Sequence, residues 1–302
     1  MSTESDIKKL GKRKEDYLLN AEKKMQRQVT SLEKTLLGII YEDYIGKFDT
    51  VEGSLTTSAK NIRLVAEMDL LFDTFALNYQ NVVISDFGAS LASLTPLTNA
   101  YYKDMGVKAG TLKNISEKAG FIDKSLGLKN GKILPGSYLD RLGQSQEVRQ
   151  LLKDYVTSSL VEGKGITSFT KGFKDLVQGS KEVDGALTGY YKQYAYDTYN
   201  QVEAAKNAFF AKEVGFDYFF YRGTIIKTSR DFCIKRAGKV FSIEEATTTW
   251  QCDPTLLKRK GVGDCDDSYN ALVERGRWNC RHQLDYVDKT VAESLGISTI
   301  NI

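Results

Sequence analysis

Apolar residues recur at steps of three and four through Leu18, Ala21, Met25, Val29, Leu32, Leu36 and Ile39. That spacing draws an apolar stripe down one side of a helix. Lys and Glu fill the other faces, so one long helix is expected over residues 6–45. The stripe serves either to pack the helix on its own domain or as a seam for self-association. Its 18–29 interval is closer to an eleven-residue spacing than to heptads. Residues 46–58 read as a loop, with Thr57 or Ser58 placed to cap the next helix. Helical spacing returns over 59–80 through Ile62, Val65, Leu70, Phe72 and Phe75, and further helix runs to about Met105, interrupted at Pro96.

Residues 106–145 change character. Gly106, Gly110, Gly120, Gly127, Gly131, Gly136 and Gly143 break the apolar residues into short pieces, which reads as turns and short elements in a connector. Helices are expected again over 146–162 and 180–214. The second carries Tyr190, Tyr191, Tyr194, Tyr196 and Tyr199, an aromatic stripe suited to core or interface packing.

After residue 215 the pattern switches. FDYFFYRGTIIKTSRDF is aromatic and β-branched and is broken by Arg222 and Gly223, which predicts a β-hairpin. KVFS reads as a third strand. Ser242, with Glu245 three residues on, is a capping-box pattern opening a helix that runs to about Trp250. The stretch from Gln251 to Gly276 reads mostly as loop with one turn of helix, and RHQLDYV as a fourth strand. The expected fold is mainly α: a helical region over 1–105, a Gly-rich connector over 106–145, a helical region over 146–214, and an α+β module with a small antiparallel sheet over 215–302.

Composition narrows this little. With 41% hydrophobic and 27% charged residues the chain is globular, and a net charge of +3 is too mild to argue for nucleic acid. The compact basic run Lys258, Arg259, Lys260 reads as a surface loop, so DNA contact is not indicated. No apolar stretch reaches the length of a membrane span, and the N-terminus lacks the apolar core of a signal peptide. Residence in a cytoplasm is the expectation, and there the four cysteines are expected as thiols or metal ligands rather than disulfides.

The single histidine, His282, lies two residues after Cys280. On a strand the two side chains would share a face, and Cys233 follows a strand pair that would lie beside them. Cys233, Cys280 and His282 are therefore candidate ligands for Zn²⁺, or else packed thiols beside a hydrogen-bonded imidazole. No C-x-x-C pair, HExxH or Gly-rich phosphate loop is present. Asp264, Asp266 and Asp267 lack EF-hand spacing. Arg230 and Arg281, with Asp231 and Asp285, are candidates for a partly buried ion network closing the module.

YFFYRGTIIKTSRDFCIKRAGKVFSIEE, then Trp250, then GRWNCRHQLDYV resembles the C-terminal module of tailed-phage minor head proteins, the head-morphogenesis family that includes the phage Mu F-like proteins. The matching positions are Thr228, Ser229, Arg230, Phe232, Cys233, Gly238, Lys239, Phe241, Gly276, Asn279, Cys280, Arg281 and His282, with Trp250 between them. The likeness covers about residues 190–290. Where many members carry a CxxC and a CRC, this chain has single cysteines and CRH. The resemblance implies a low-copy, portal-associated structural protein of the virion, made in the bacterial cytoplasm and acting in head morphogenesis, with a part in DNA packaging or ejection. Its partners would be the portal and other head proteins, with self-association through the N-terminal helix. Binding rather than turnover is expected, with no required cofactor and Zn²⁺ left open. The alternative is a metal- or Cys/His-dependent phage enzyme, a nuclease, peptidase or toxin-like transferase.

Overall fold

The computed structural model describes the backbone of residues 4–144, 146–277 and 280–300, and their side chains apart from 4 and 192–197. Helix makes up 67% of the chain and the strands are short, so the fold is mainly α with a small antiparallel sheet near the C-terminus. In chain order the helices are α1 (Glu4–Ile39), α2 (Ala59–Asn78), α3 (Ser85–Ala92), α4 (Leu94–Asp104), α5 (Ala109–Leu126), α6 (Tyr138–Gln144), α7 (Gln146–Val161), α8 (Ile166–Gln178), α9 (Ala186–Val214), α10 (Asp231–Arg236), α11 (Ile243–Thr249), α12 (Ala271–Glu274) and α13 (Lys289–Leu295). Strands β1 (Thr50–Val51) and β2 (Ser54–Leu55) form one hairpin, and β3 (Leu128–Lys129) and β4 (Lys132–Ile133) another. β5 (Tyr218–Arg222) is the central strand of a three-stranded sheet, between β6 (Val240–Ser242) and β7 (Gln283–Val287).

Two compact units are built from discontinuous segments. Residues 1–20, 90–125 and 196–302 form one, and 21–89 and 126–195 the other. The expected boundaries at 105, 145 and 214 are therefore not where the chain divides. α1, at 36 residues, contributes to both units. Its apolar stripe is buried at Leu18, Ala21, Met25, Val29 and Leu36 and extends upstream through Ile7 and the buried Lys14. Leu32 and Ile39 are half-buried. At the buried positions the stripe is covered by the chain itself.

The connector expected over 106–145 is corrected. Its first half is the 18-residue helix α5. Leu112, Ile115, Ala119 and Ile122 are buried at helical spacing, which outweighs the cost of Gly110 and Gly120, about 1 kcal/mol each. β3, β4 and α6 follow.

In the second unit Ser58, not Thr57, caps α2, accepting from the Asn61 backbone N–H at 3.2 Å. The buried face of α2 starts at Asn61 and runs through Leu64, Met68 and Phe72, while Ile62 and Leu70 are exposed. Asn61 sets that face because its amide bonds the preceding loop: it donates to the Asp49 and Thr56 carbonyls and accepts from the Asp49 N–H. α8, unexpected from the sequence, buries Phe169, Phe173 and Val177 at steps of four. Of the tyrosine stripe on α9, Tyr191 and Tyr199 are buried; Tyr194 and Tyr196 fall outside the described side chains.

The first unit holds the sheet. β5 alternates across it: Phe219 and Tyr221 join a core with Phe232, Phe241, Trp250 and Tyr286, and Phe220 joins Ile7, Val240, Val287 and Val291 on the other face. The expected hairpin return after Gly223 does not form. Both edges of β5 are already hydrogen-bonded, to β6 and β7. The residues predicted as the second arm are irregular, and Ile225 and Ile226 stand 49% and 59% exposed. The core also takes Tyr101, Tyr102, Leu112, Ile115 and Ala119. Tyr101 donates to the Tyr286 carbonyl at 2.8 Å, and the Asn207 amide to the Leu284 carbonyl at 2.7 Å. Helices α4, α5 and α9 thus complete the core of the α+β module.

Candidate functional site

TSRDFC and GKVF lie close together in sequence, with Trp250 and then GRWNCRHQLDYV further along, and residues of all of them join the core on one face of β5. α10 starts at Asp231, and Arg230, extended just before it, donates to the Gly276 carbonyl at 2.8 Å. That bond ties the first motif to the third. Phe232 and Phe241 place their rings 5.6 Å and 5.3 Å from Trp250, which is fully buried. Gly238 has φ +80°, a conformation that glycine adopts without strain, and its N–H reaches the Tyr221 carbonyl at 2.9 Å. Ser242 caps α11 through the Glu245 N–H, as the capping-box pattern predicts. Ser229 Oγ accepts from the Ile226 N–H. Thr228 and Arg281 are exposed. Asn279 lies outside the described residues.

Three candidate ligands come together here. Cys233 Sγ is 4.0 Å from Cys280 Sγ, and Cys280 Sγ is 3.8 Å from His282 Nδ1. All three are buried, with their ligand atoms within 4.8 Å of one another. Cys280 and His282 precede β7 instead of sitting on it, so strand alternation is not what pairs them. The segment is held by Arg275, whose guanidinium donates to the His282 and Asn200 carbonyls, and by Arg277, which donates to the Leu257 carbonyl and to Asp266. Both arginines have positive φ, a conformation costing about 1–2 kcal/mol for an L-residue. The backbone closes tightly on the site. A Cβ on Gly276 would stand 2.5 Å from Cys233 Sγ, and one on Gly223 would stand 2.2 Å from the His282 ring.

Tyr221, from the centre of the sheet, is the residue that sequence reasoning missed. Its hydroxyl lies 3.6 Å from Cys233 Sγ and 3.8 Å from Cys280 Sγ, and its ring stacks on His282 at 5.1 Å. The alternation of FDYFFYR with Phe219 and Tyr221 on one face is the signal that would have found it. The two thiols are inequivalent. The hydrogen bond from Cys233 holds Cys280 well below the usual thiol range, against its burial and with help from His282 and Arg275. The same bond, with burial, pushes Cys233 up. Cys280 also lines a pocket of ≈ 240 Å³ with Asn200, Leu257, Lys258, Arg275 and Arg277.

The other two cysteines correct an expectation. Cys252 and Cys265 form a disulfide across 13 residues, a loop length at which a bridge contributes about 3 kcal/mol. Sequence gave no pairing, because only the folded loop brings the sulfurs together. The expected ion network also has different members. Asp285 pairs with Arg222, not with Arg230 or Arg281, and Arg236 pairs with Asp253. Arg222 was read as a turn residue, and it ends a buried strand instead.

The carboxylates of GDCDDS do not converge on a cation site. Asp266 serves Arg277 and Ser268, Asp264 is 3.7 Å from Lys258, and Asp267 is exposed. Hydrogen bonds from Ser268, then Arg277, hold Asp266 at about 2. An aspartate in an unfolded chain titrates near 3.9. A depressed folded pKa means that the stabilisation is present above about pH 4 and is lost as pH falls through about 2. Asp266→Asn is expected to melt lower than wild type at pH 7, with the gap closing between about pH 4 and pH 2. A gap that stays constant over that window would show that the charge on Asp266 contributes nothing.

The chain matches no protein-family model, no curated protein and no solved structure. No helix among the described residues is long and apolar enough to cross a membrane.

Proposed function

We propose that the chain is a minor head protein of a tailed phage, a low-copy virion component recruited to the portal during head morphogenesis and acting by binding. The observation that carries this reading is the convergence of its three motifs. Phe232, Cys233, Phe241, Trp250 and Cys280 enter one buried cluster, with His282 buried beside it against Tyr221, although the third motif lies well beyond the first two in the chain. The first and third motifs also touch directly, through Arg230 to the Gly276 carbonyl and Cys233 to Cys280. The disulfide supports a protein that leaves the reducing cytoplasm, as a virion component does on release.

The rival reading, a Cys/His-dependent enzyme, draws on one observation, the low-lying Cys280 thiol beside a pocket. A nucleophile–base pair needs a third group to orient the histidine. Among the described residues His282 Nε2 is buried with no hydrogen-bond partner. The binding role is therefore the better supported.

Quantitative mass spectrometry of purified particles tests the proposal. The protein is expected in virions at far fewer copies than the major capsid protein, and it should co-purify with the portal ring. Its absence from particles would overturn the reading.

A further inference from the structure

We infer that Cys233, Cys280 and His282 bind one thiophilic divalent cation, zinc by chemistry, with the Tyr221 hydroxyl at the fourth corner. The inference stands on the geometry of the cluster and does not depend on the virion reading. Zn–S bonds of about 2.3 Å and Zn–N bonds of about 2.0 Å place the ligand atoms of a tetrahedral site about 3.6–3.8 Å apart. Here the sulfurs are 4.0 Å apart, and Cys280 Sγ is 3.8 Å from His282 Nδ1. The Tyr221 oxygen sits 3.6 Å and 3.8 Å from the two sulfurs. Four edges of the tetrahedron thus lie within a few tenths of an ångström of those of a loaded site, and the sulfur and imidazole ligand atoms all lie within 4.8 Å of one another.

The chemistry of the set agrees. Two thiolates and a neutral imidazole balance a 2+ ion, so the loaded site carries no net charge into a buried environment. Sulfur and imidazole together select zinc-like cations over Mg²⁺ or Ca²⁺, which take oxygen ligands. The site is also rigidly framed. Gly276 and Gly223 bring backbone to within contact of Cys233 and His282, and Arg275 pins the His282 carbonyl at 2.7 Å. The ligands come from α10, β5 and the segment entering β7, so the ion would fasten α10 to the sheet at the point where that segment joins it.

The full-length chain, purified without chelator, tests this. One zinc per chain is expected by elemental analysis. Replacement with Co²⁺ is expected to give a sulfur-to-cobalt charge-transfer band in the near ultraviolet and strong visible bands of a four-coordinate ion. Cys233→Ser and Cys280→Ser should each abolish the stoichiometric metal. To separate loss of the ion from loss of the fold in those variants, thiol labelling of the wild type gives a second readout: the two free thiols should resist a thiol reagent until chelator is added. Tyr221→Phe keeps the ring and is expected to weaken zinc binding by about 10–100-fold. A wild-type chain with native circular dichroism that holds no zinc and develops no cobalt charge-transfer band would overturn the site. So would a mass two hydrogens lower that maps to a Cys233–Cys280 bond in the folded protein. Unchanged zinc affinity in Tyr221→Phe would remove Tyr221 from it.

Discussion

Trp250→Ala is expected to destabilise the unit that holds the sheet by about 3–5 kcal/mol, the range for removing a fully buried large aromatic. The indole is 0% exposed. Four rings surround it edge-on: Phe219 at 5.7 Å, Tyr221 at 5.9 Å, Phe232 at 5.6 Å and Phe241 at 5.3 Å. Edge-to-face contact of this kind is a favourable arrangement for aromatic quadrupoles. The Arg236 guanidinium lies 4.3 Å from the ring centre and is itself fully buried. The substitution therefore leaves a cavity among rigid rings that cannot collapse, and strips one face from a buried cation. Arg236 keeps its bond to Asp253 at 2.6 Å and its stacking on Phe232, which bounds the loss. Trp250→Phe should cost roughly half as much, since it retains most of the ring contacts. Urea unfolding followed by far-ultraviolet circular dichroism measures both. A loss under about 1 kcal/mol for Trp250→Ala would mean that the cage is not formed, since a truncation this deep cannot be cheap in a packed core.

Arg222→Met is the second large effect, about 3–5 kcal/mol at neutral pH, the cost of leaving one partner of a buried ion pair behind. Arg222 ends β5 and donates from all three of its guanidinium nitrogens. Nε donates to Asp285 at 2.5 Å, one terminal nitrogen to Glu15 at 2.6 Å, and the other to the Gly11 carbonyl at 2.8 Å and to Gln283. Asp285 is 1% exposed. Burial raises its pKa, and Arg222 is the chief opposing influence. Without Arg222 the carboxyl rises further. A folded pKa raised above the unfolded value means stability lost as pH rises. The deficit of Arg222→Met should therefore shrink on acidification as Asp285 takes up a proton. Arg222→Met combined with Asp285→Leu should recover most of the loss, because the apolar pair leaves no unmatched charge. A double variant no more stable than the single one would place the effect in the bonds to α1, through Glu15 and Gly11, instead of in the ion pair.

Much of the fold was legible in the residues. The stripe of α1 was readable because a long helix repeats its register many times, so single exceptions do not hide it. β6, the cap of α11 and the single turn of α12 were readable because each rests on a few adjacent residues. α5 and α8 were hidden for the opposite reason. Gly110, Gly120 and Gly172 break the local propensity, and the buried spacing of Leu112, Ile115 and Ala119, or of Phe169, Phe173 and Val177, decides only once a partner surface exists. The second arm of the hairpin failed because propensity cannot count hydrogen-bonding edges: Thr224–Lys227 has a strand-like composition but no free strand to pair with.

In the candidate site, the residue types at Cys233, Cys280 and His282 were enough to nominate them, because few side chains can hold a soft cation. Their meeting was not readable from i and i+2 spacing, which assumed a strand that begins only at Gln283. The identity of the ionic partners, the Cys252–Cys265 bridge and the place of Tyr221 among the sulfurs were likewise decided by tertiary structure. The physical division is one of range. Periodicity, capping and turn chemistry are local, acting over a few residues, and the sequence states them directly. A disulfide, a buried ion pair or a four-atom cluster depends on separations of about 4 Å or less between residues distant in the chain. Those separations exist only after helices from both ends of the chain have closed on the sheet.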